Sequence, residues 1–544
     1  MKYCTRYVDG PENGPARSFE RASLSKSSGA ISAVQGTELK QAARGGLVSI
    51  VGAGISAVMG FALTFVLARS FGESGSGVVL QTVAVFTISL GLARTGMDTA
   101  GVWILPRLVL TDRSKIRGAT TALLVPTVIV GMVLALLLYF ITPLVDTSSD
   151  GYGQQLVQAI QATSWFLPCG AVVMVALAAT RGLGNIVPYT VIGSVGLPAL
   201  RPILVLGVAA IGGTAVLASV AWAAPAALAM IVALFVLWRR IRAQERVHGI
   251  PGGWWPDKDT HAKIWKFSLP RWYSSGIEQS IIWFDVVLVG AIAGASAAGI
   301  YGAASRFVSA GLIISTAMRM VVSPQFSALL SEEKTARVQE LYTTTVTWIV
   351  MLGVPIYGIF MFFSPTVMGW LGPGFEAGAP SLVVLCFGAI AFLIAGNVDA
   401  LLMMSGRSGW MAFNKSVVLA INIAGNLILV PIWGIMGAAV SWAFSLLLDS
   451  FLASVETRIF LGIKFGFSRT AYAFFIAVCS VVPISLTVIH FIGRSTLGVF
   501  VAGVGAMVIL GIWCWLDRRR LRLSELKVFS RKGNKPSNNT PVFD

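Results

Sequence analysis

Arginines and carboxylates interrupt stretches of this sequence that are otherwise apolar: Arg94, Arg201, Arg306 and Arg319 on one side of the charge ledger, Glu278, Asp285 and Asp449 on the other. A charge inside such a stretch is costly in hydrocarbon, and it is retained where it faces a water-filled cavity, meets a partner or handles a charged substrate. Guanidinium groups so placed would shelter an anion such as a phosphate; carboxylates would pair with them or exchange a proton. Arg306 and Asp285 lie at matched depth, each about 10 Å in from the glycine-rich turn between them at 1.5 Å per residue. That placement predicts an ion pair across the hairpin, serving either to orient two helices or in substrate or proton coupling. Glu278, on the same helix face as Asp285, would extend the pair into a carboxylate track.

Arg94 and Arg319 stand toward the inner ends of their helices, where together they could grip a diphosphate. Alternatively each snorkels to headgroups, with Arg94 pairing to Asp98 four residues on. Arg201 lies near mid-span between Pro198 and Pro202, which interrupt the hydrogen-bond ladder and would bend the helix around a cavity. Asp449 is its opposite number by charge, with Glu456 beyond it. Lys415, Asn422 and Asn426 form one polar stripe along a helix, suited equally to sugar binding and to helix-to-helix hydrogen bonding.

The elements that must position these residues follow from composition. The chain has 544 residues, of which 56% are hydrophobic and 12% charged, with a mean hydropathy of +0.78. That is a membrane protein's composition. Crossing roughly 30 Å of hydrocarbon takes about 17–25 apolar residues, and about fourteen such stretches are present. They run 47–67, 77–105, 119–141, 156–180, 189–211 and 214–238; then 273–293, 300–330, 342–363, 381–404, 413–430 and 436–460; then 472–492 and 497–515.

The fold class is therefore all-α and polytopic. It reads as a flexible cytoplasmic tail (1–45), a six-helix bundle (46–238), a cytoplasmic connecting loop (239–268), a second six-helix bundle (269–461), an additional helix pair (470–516) and a basic cytoplasmic tail (517–544). Lys and Arg gather in alternate loops, leaving only Arg69 and Arg494 in the outer ones, which puts both termini in the cytoplasm. The net charge of +17 is spread over these inner loops and tails, so its partner is anionic phospholipid at the basic segments and not nucleic acid. Five cysteines and three histidines are scattered without ligand spacing, so neither a metal, a cofactor nor a disulfide framework is expected.

One glycine-rich segment, "LARSFGESGSGVVLQ" at 67–81, invites a phosphate-loop reading. It reads G-x-x-G-x-G, lacks the Lys of a Walker loop and falls on the outer side, so it is a turn between spans. The punctuation recurs about 222 residues later, where Gly294 and Gly299 answer Gly72 and Gly77. "TRGLG" (180–184) is likewise answered by "SGRSG" (405–409), and "IGGTAV" (211–216) by "IMGAAV" (435–440). Six spans, the same six again and a trailing pair make two bundles of like orientation, able to rock about a central site as transporters do.

From "KFSLPRWYSSGIEQSIIWFDVVLVGAIAGASAAGIYGAASRF" through "SPQFSALLSEEKTARVQELY" to "PIWGIMGAAVSWAFSLLL", the chain resembles the Wzx-type polysaccharide flippases of the multidrug/oligosaccharidyl-lipid/polysaccharide exporter superfamily. The likeness runs over residues 47–460 and is densest around Pro270, Asp285, Gly299, Tyr301, Ala304 and Pro324. It implies a monomeric transporter of the cell inner membrane, without enzyme activity. Such a protein moves polyprenyl-diphosphate-linked oligosaccharide from the cytoplasmic to the periplasmic leaflet for lipopolysaccharide O-antigen, exopolysaccharide or capsule, beside polysaccharide polymerase machinery. The trailing pair resembles the lipid II flippases instead. That alternative, a cation-coupled multidrug exporter of the same superfamily, and a membrane glycosyltransferase or polymerase are the competing readings.

Overall fold

The computed structural model describes residues 15–145, 151–248, 252–464 and 466–517. Regular structure among the described residues is helical, with no strand. Helices long and apolar enough to cross a membrane number 12, or 13 when the bent pair Gly151–Ser164 and Leu167–Gly182 is taken as one span. The sequence stretches number one more than the latter because Val51–Thr111 holds two of them, 47–67 and 77–105; two helices are very long. Val51–Thr111 has 61 residues and Lys258–Gly311 has 54. At 1.5 Å per residue either far exceeds roughly 30 Å of hydrocarbon. Each contains a glycine with non-helical backbone at which two helices meet, Gly72 (φ 65°, ψ −171°) and Gly294 (φ 89°, ψ 172°).

In the first half, α1 (Pro15–Ala93) leads to α2 (Met97–Thr111), α3 (Ile116–Val145), α4 (Gly151–Ser164) and α5 (Leu167–Gly182). A π-helix (Tyr189–Gly196) then runs into α6 (Leu197–Ala210), α7 (Ala215–Ala223) and α8 (Pro225–His248). The second half comprises α9 (Lys258–Gly311), α10 (Ile313–Ser331), α11 (Thr335–Phe362), α12 (Ser364–Gly369), α13 (Ala379–Ala395), α14 (Val398–Met404), α15 (Ser408–Trp433) and α16 (Ile435–Leu461). The trailing pair is α17 (Phe467–Ile492) and α18 (Thr496–Leu516). Helical backbone thus extends into residues 15–45, where the sequence predicts a flexible tail: Pro15 is tolerated at a first helical position, and no proline follows it in that segment. Residues 1–14 and the basic cluster from Arg518 onward lie outside the described residues.

Prolines mark breaks only in part. Pro168 and Pro225 stand at helix starts, whereas Pro126, Pro355 and Pro483 lie inside helices. A spanning helix tolerates the lost hydrogen bond when neighbours resatisfy the freed carbonyl. Breaks occur instead at Thr95–Gly96, at Leu312 and at Gly396–Asn397, where Gly396 has φ 66°.

The sequence echo has a conformational counterpart. Gly72 and Gly294, Gly184 and Gly406, and Gly212 and Gly434 all adopt positive φ, and each pair is 222 residues apart. Glycine reaches that region without steric cost. Gly77 and Gly299, which share the same offset, meet each other. A Cβ on Gly77 would overlap the Ala295 carbonyl and stand 3.0 Å from the Gly299 nitrogen. A Cβ on Gly299 would overlap the Glu73 carbonyl and stand 3.0 Å from the Gly77 nitrogen. Such reciprocity is what a two-fold relation between like elements produces.

The halves also pack away from this crossing. The Trp272 indole donates to the Leu92 carbonyl (2.8 Å), and Trp103 stacks on Phe267 at 4.6 Å. Beyond the crossing, Arg69 Nε donates to the Trp370 carbonyl (2.8 Å), while the Trp370 indole donates to Thr496 on the trailing pair (3.0 Å). The segment leading into α9 is clasped to the first half by Lys115–Asp257 (3.4 Å), and Arg117–Glu245 (2.7 Å) ties α3 to α8. Large apolar side chains such as Phe140, Phe451, Phe491 and Trp515 are exposed, a surface suited to lipid.

Candidate functional site

Two buried polar networks lie on the helix face that carries Lys415, Asn422 and Asn426. In the first, Asp285 of α9 accepts from the Tyr301 hydroxyl (3.2 Å) and from the Asn426 amide of α15 (2.8 Å). The Asn426 amide nitrogen also meets the Asn422 carbonyl (2.9 Å) and the Ser441 hydroxyl of α16 (3.3 Å), and Ser441 donates to the Asn422 carbonyl (3.0 Å). Three helices are tied through one carboxylate. Both asparagines are buried, 2% and 0% exposed, and the Asn426 side-chain amide reaches from α15 to α9 and α16.

The expected Asp285–Arg306 ion pair is not formed. The Arg306 guanidinium lies over the Trp283 ring at 4.0 Å. Trp283 and Asp285, two residues apart, point to nearly opposite sides of their helix, so following Trp283 takes Arg306 away from Asp285, and Tyr301 fills the place instead. Nor does the carboxylate track continue, since Glu278 is half-buried and has no hydrogen bond or ion pair among the described residues.

In the second network, Lys415 bridges Asp399 (3.0 Å) and Asp449. Asp399 stands just beyond the Gly396–Asn397 break, so the ammonium ties the broken helix to α16. Asn414 donates to Glu456 (2.8 Å) beside it, and Arg319 is near enough for its charge to act on Asp449. Asp449 and Arg201 do not pair. Arg201 lies over Trp222 at 4.0 Å, and Trp222 in turn meets Phe86 edge-on at 5.3 Å, so the guanidinium faces the interior of the first half. A cation over an aromatic face gains about 0.5–2 kcal/mol but keeps its charge uncancelled. Arg94 does pair with Asp98 (3.1 Å). Among the described residues, Arg201, Arg306 and Arg319 form no ion pair, and no cluster of His, Cys, Asp and Glu is suited to a metal ion.

A cavity of about 740 Å³ separates the halves near Gly294, bounded by Gln81, Thr142, Tyr152 and Val287. Among the described residues no charged side chain lines it. Sequence reasoning passed over Asp399, Trp222, Trp283 and Arg271, and met Tyr301 only within the family likeness. Asp399 follows a Gly-Asn pair and Arg271 follows Pro270, both signals of a helix interruption; nothing local marks the tryptophans as arginine platforms.

Comparisons with known proteins place these features in context. A family model described as polysaccharide biosynthesis protein matches residues 42–330. Two relatives from Haloferax volcanii are similar over part of the chain. The probable low-salt glycan biosynthesis flippase Agl15 is 25% identical over 191 residues, 35% of this chain and 40% of that protein. The probable flippase AglR is 22% identical over 202 residues, 36% of this chain and 42% of that protein. The matched part spans about two fifths of the length of either relative. Among solved structures, the lipid II flippase MurJ in an inward closed conformation has a TM-score of 0.70 at 12% identity, covering 87% of this chain and 100% of that one. An inward-facing multidrug resistance MATE family transporter has a TM-score of 0.61 at 13% identity, covering 75% and 95%. At such identities the likeness is one of fold.

Proposed function

The chain belongs to the polysaccharide biosynthesis protein family, and on that premise we propose that it is a flippase for polyprenyl-diphosphate-linked oligosaccharide. It moves this substrate from the cytoplasmic to the outer leaflet of the inner membrane for cell-surface polysaccharide, with both termini cytoplasmic. The observation that carries the reading is the set of spanning arginines, Arg201, Arg306 and Arg319, that no carboxylate pairs with directly among the described residues. An incoming diphosphate is the charge that complements them.

Alternating access is the mechanism this packing favours. The halves touch near Gly77 and Gly299 at one end and at Trp272–Leu92 and Trp103–Phe267 at the other. Opening toward either leaflet means separating one set while the other holds. Asp285, whose neighbours are neutral amides and hydroxyls, is the carboxylate placed to exchange a proton or monovalent cation during the cycle. Lys415, Asp399 and Asp449 hold the broken helix in register.

The test is complementation of a strain lacking the gene. Arg201→Gln, Arg306→Gln and Arg319→Gln, each at normal protein level, are expected to cut surface glycan by tenfold or more, an effect of about 1.4 kcal/mol. Normal export by all three would refute the reading. The fold overlap with the lipid II flippase along 87% of the chain favours one second reading, transport of the peptidoglycan precursor. Accumulation of that precursor in the deletion strain, with surface polysaccharide intact, would decide for it.

A further inference from the structure

Between α1 and α2 the chain turns through Arg94, Thr95 and Gly96. Thr95 has φ 49°, a left-handed conformation that strains a β-branched residue, and Gly96 follows at φ 71°. Glycine is needed at the second position for contact as well as for conformation. A Cβ there would overlap the Ser268 carbonyl, stand 2.9 Å from the Trp272 nitrogen and lie 3.2 Å from the Arg271 Cβ. The strained turn of the first half is therefore pressed against Arg271 of the second.

Three polar atoms at this junction are buried and have no hydrogen-bond partner among the described residues: Arg94 Nε, Thr95 Oγ1 and Arg271 Nε. Two are guanidinium donors and the third is a hydroxyl able to donate, so what the junction lacks is an acceptor. Arg271 forms no ion pair among the described residues. Arg94 has one, to Asp98 Oδ2, and the other oxygen of Asp98 accepts from the Thr99 backbone N–H (2.9 Å). Asp98 thus lies in the first turn of α2, where the helix dipole favours negative charge. With the two side chains 17% and 20% exposed, the pair is largely shielded from solvent.

We propose that Arg94, Thr95 and Arg271 form one diphosphate clamp spanning the two halves, and that Asp98 is the internal anion occupying it between substrates. This rests on the flippase reading above and adds to it an anion site at the junction of the two halves and a built-in competitor. A diphosphate offers several acceptor oxygens to two guanidinium forks, whereas Asp98 reaches only one. On binding it displaces Asp98 from Arg94 and links the halves through Arg271; on release Asp98 returns, so Arg94 is not left uncompensated within the membrane.

Isothermal titration of the full-length protein in micelles with inorganic pyrophosphate, at fixed ionic strength, tests this. Asp98→Asn is expected to bind about fivefold tighter, the return of one partly shielded ion pair. Arg271→Gln is expected to bind about tenfold weaker, with Arg271→Lys recovering part of the loss because a point charge replaces a planar fork. Melting temperature is followed in parallel: a merely structural Arg271 would shift it and leave affinity alone. If Arg94→Gln weakens binding while Asp98→Asn and Arg271→Gln bind as the native protein does, the clamp is overturned and the flippase reading stands. If the native protein does not bind pyrophosphate, or Arg94→Gln binds it unchanged, the anion site fails at this position altogether.

Discussion

Substituting Gly77 by alanine tests whether the reciprocal crossing is the joint between the halves. The added Cβ would fall on the Ala295 carbonyl, a backbone atom that cannot rotate aside as a side chain would, and close to the Gly299 nitrogen. Overpacking of this kind costs about 1–3 kcal/mol. Alanine's better helix propensity returns about 1 kcal/mol, leaving an expected net loss of up to about 2 kcal/mol. Gly60→Ala is the internal control, because nothing lies within 4 Å of a Cβ there and propensity acts alone. Reversible unfolding by SDS titration should therefore rank Gly77→Ala below the native protein and Gly60→Ala at or above it. Gly299→Ala should match Gly77→Ala, and the double variant should lose less than the sum, since the first Cβ already parts the helices that the second would part. Glycan export should fall with Gly77→Ala and persist with Gly60→Ala. Equal stability of Gly77→Ala and Gly60→Ala would refute the crossing as a close backbone contact.

Two further outcomes follow from the charged groups. Lys415→Met leaves Asp399 and Asp449 without their shared cation and should destabilise by about 3–5 kcal/mol, with Asp449→Asn in the same chain recovering part of the loss; a melting temperature unchanged by Lys415→Met would show that the bridge holds nothing together. Outside the spans, the hydrogen bond from Thr260 and, secondarily, the Lys115 ammonium hold the Asp257 carboxyl below its usual value of 3.8. A carboxyl whose folded pKa is depressed contributes stability above its unfolded pKa and loses it as pH falls through the folded value, so the loop clasp should loosen below about pH 4. Proteolysis of the connecting loop should rise in that window for the native protein, and Asp257→Asn should already be susceptible at neutral pH.

The sequence by itself determined the all-helical membrane fold, because apolar length against bilayer thickness admits few alternatives. It also located the turns at Gly72 and Gly294 and the glycine-bearing segments that hold Gly184, Gly212 and Gly406, since positive φ selects glycine; Gly434, one residue before the segment 435–440, came from the structure. Which residues carry charge at membrane depth was legible for the same reason: such residues stand out against hydrocarbon-compatible neighbours. Their partners were not. Pairing depends on helix rotation, and one residue of difference swings a side chain by about 100°. Asp285 therefore met Tyr301 and Asn426 where depth alone suggested Arg306, and Arg306 settled on Trp283. Lys415 became a bridge only because the break at Gly396–Asn397 carries Asp399 to it from a separate helix. Arg94–Asp98 could be read in advance, being four residues apart; the approach of Gly96 to Arg271, about 175 residues further along the chain, came from the way the halves pack, about which local spacing carries no information.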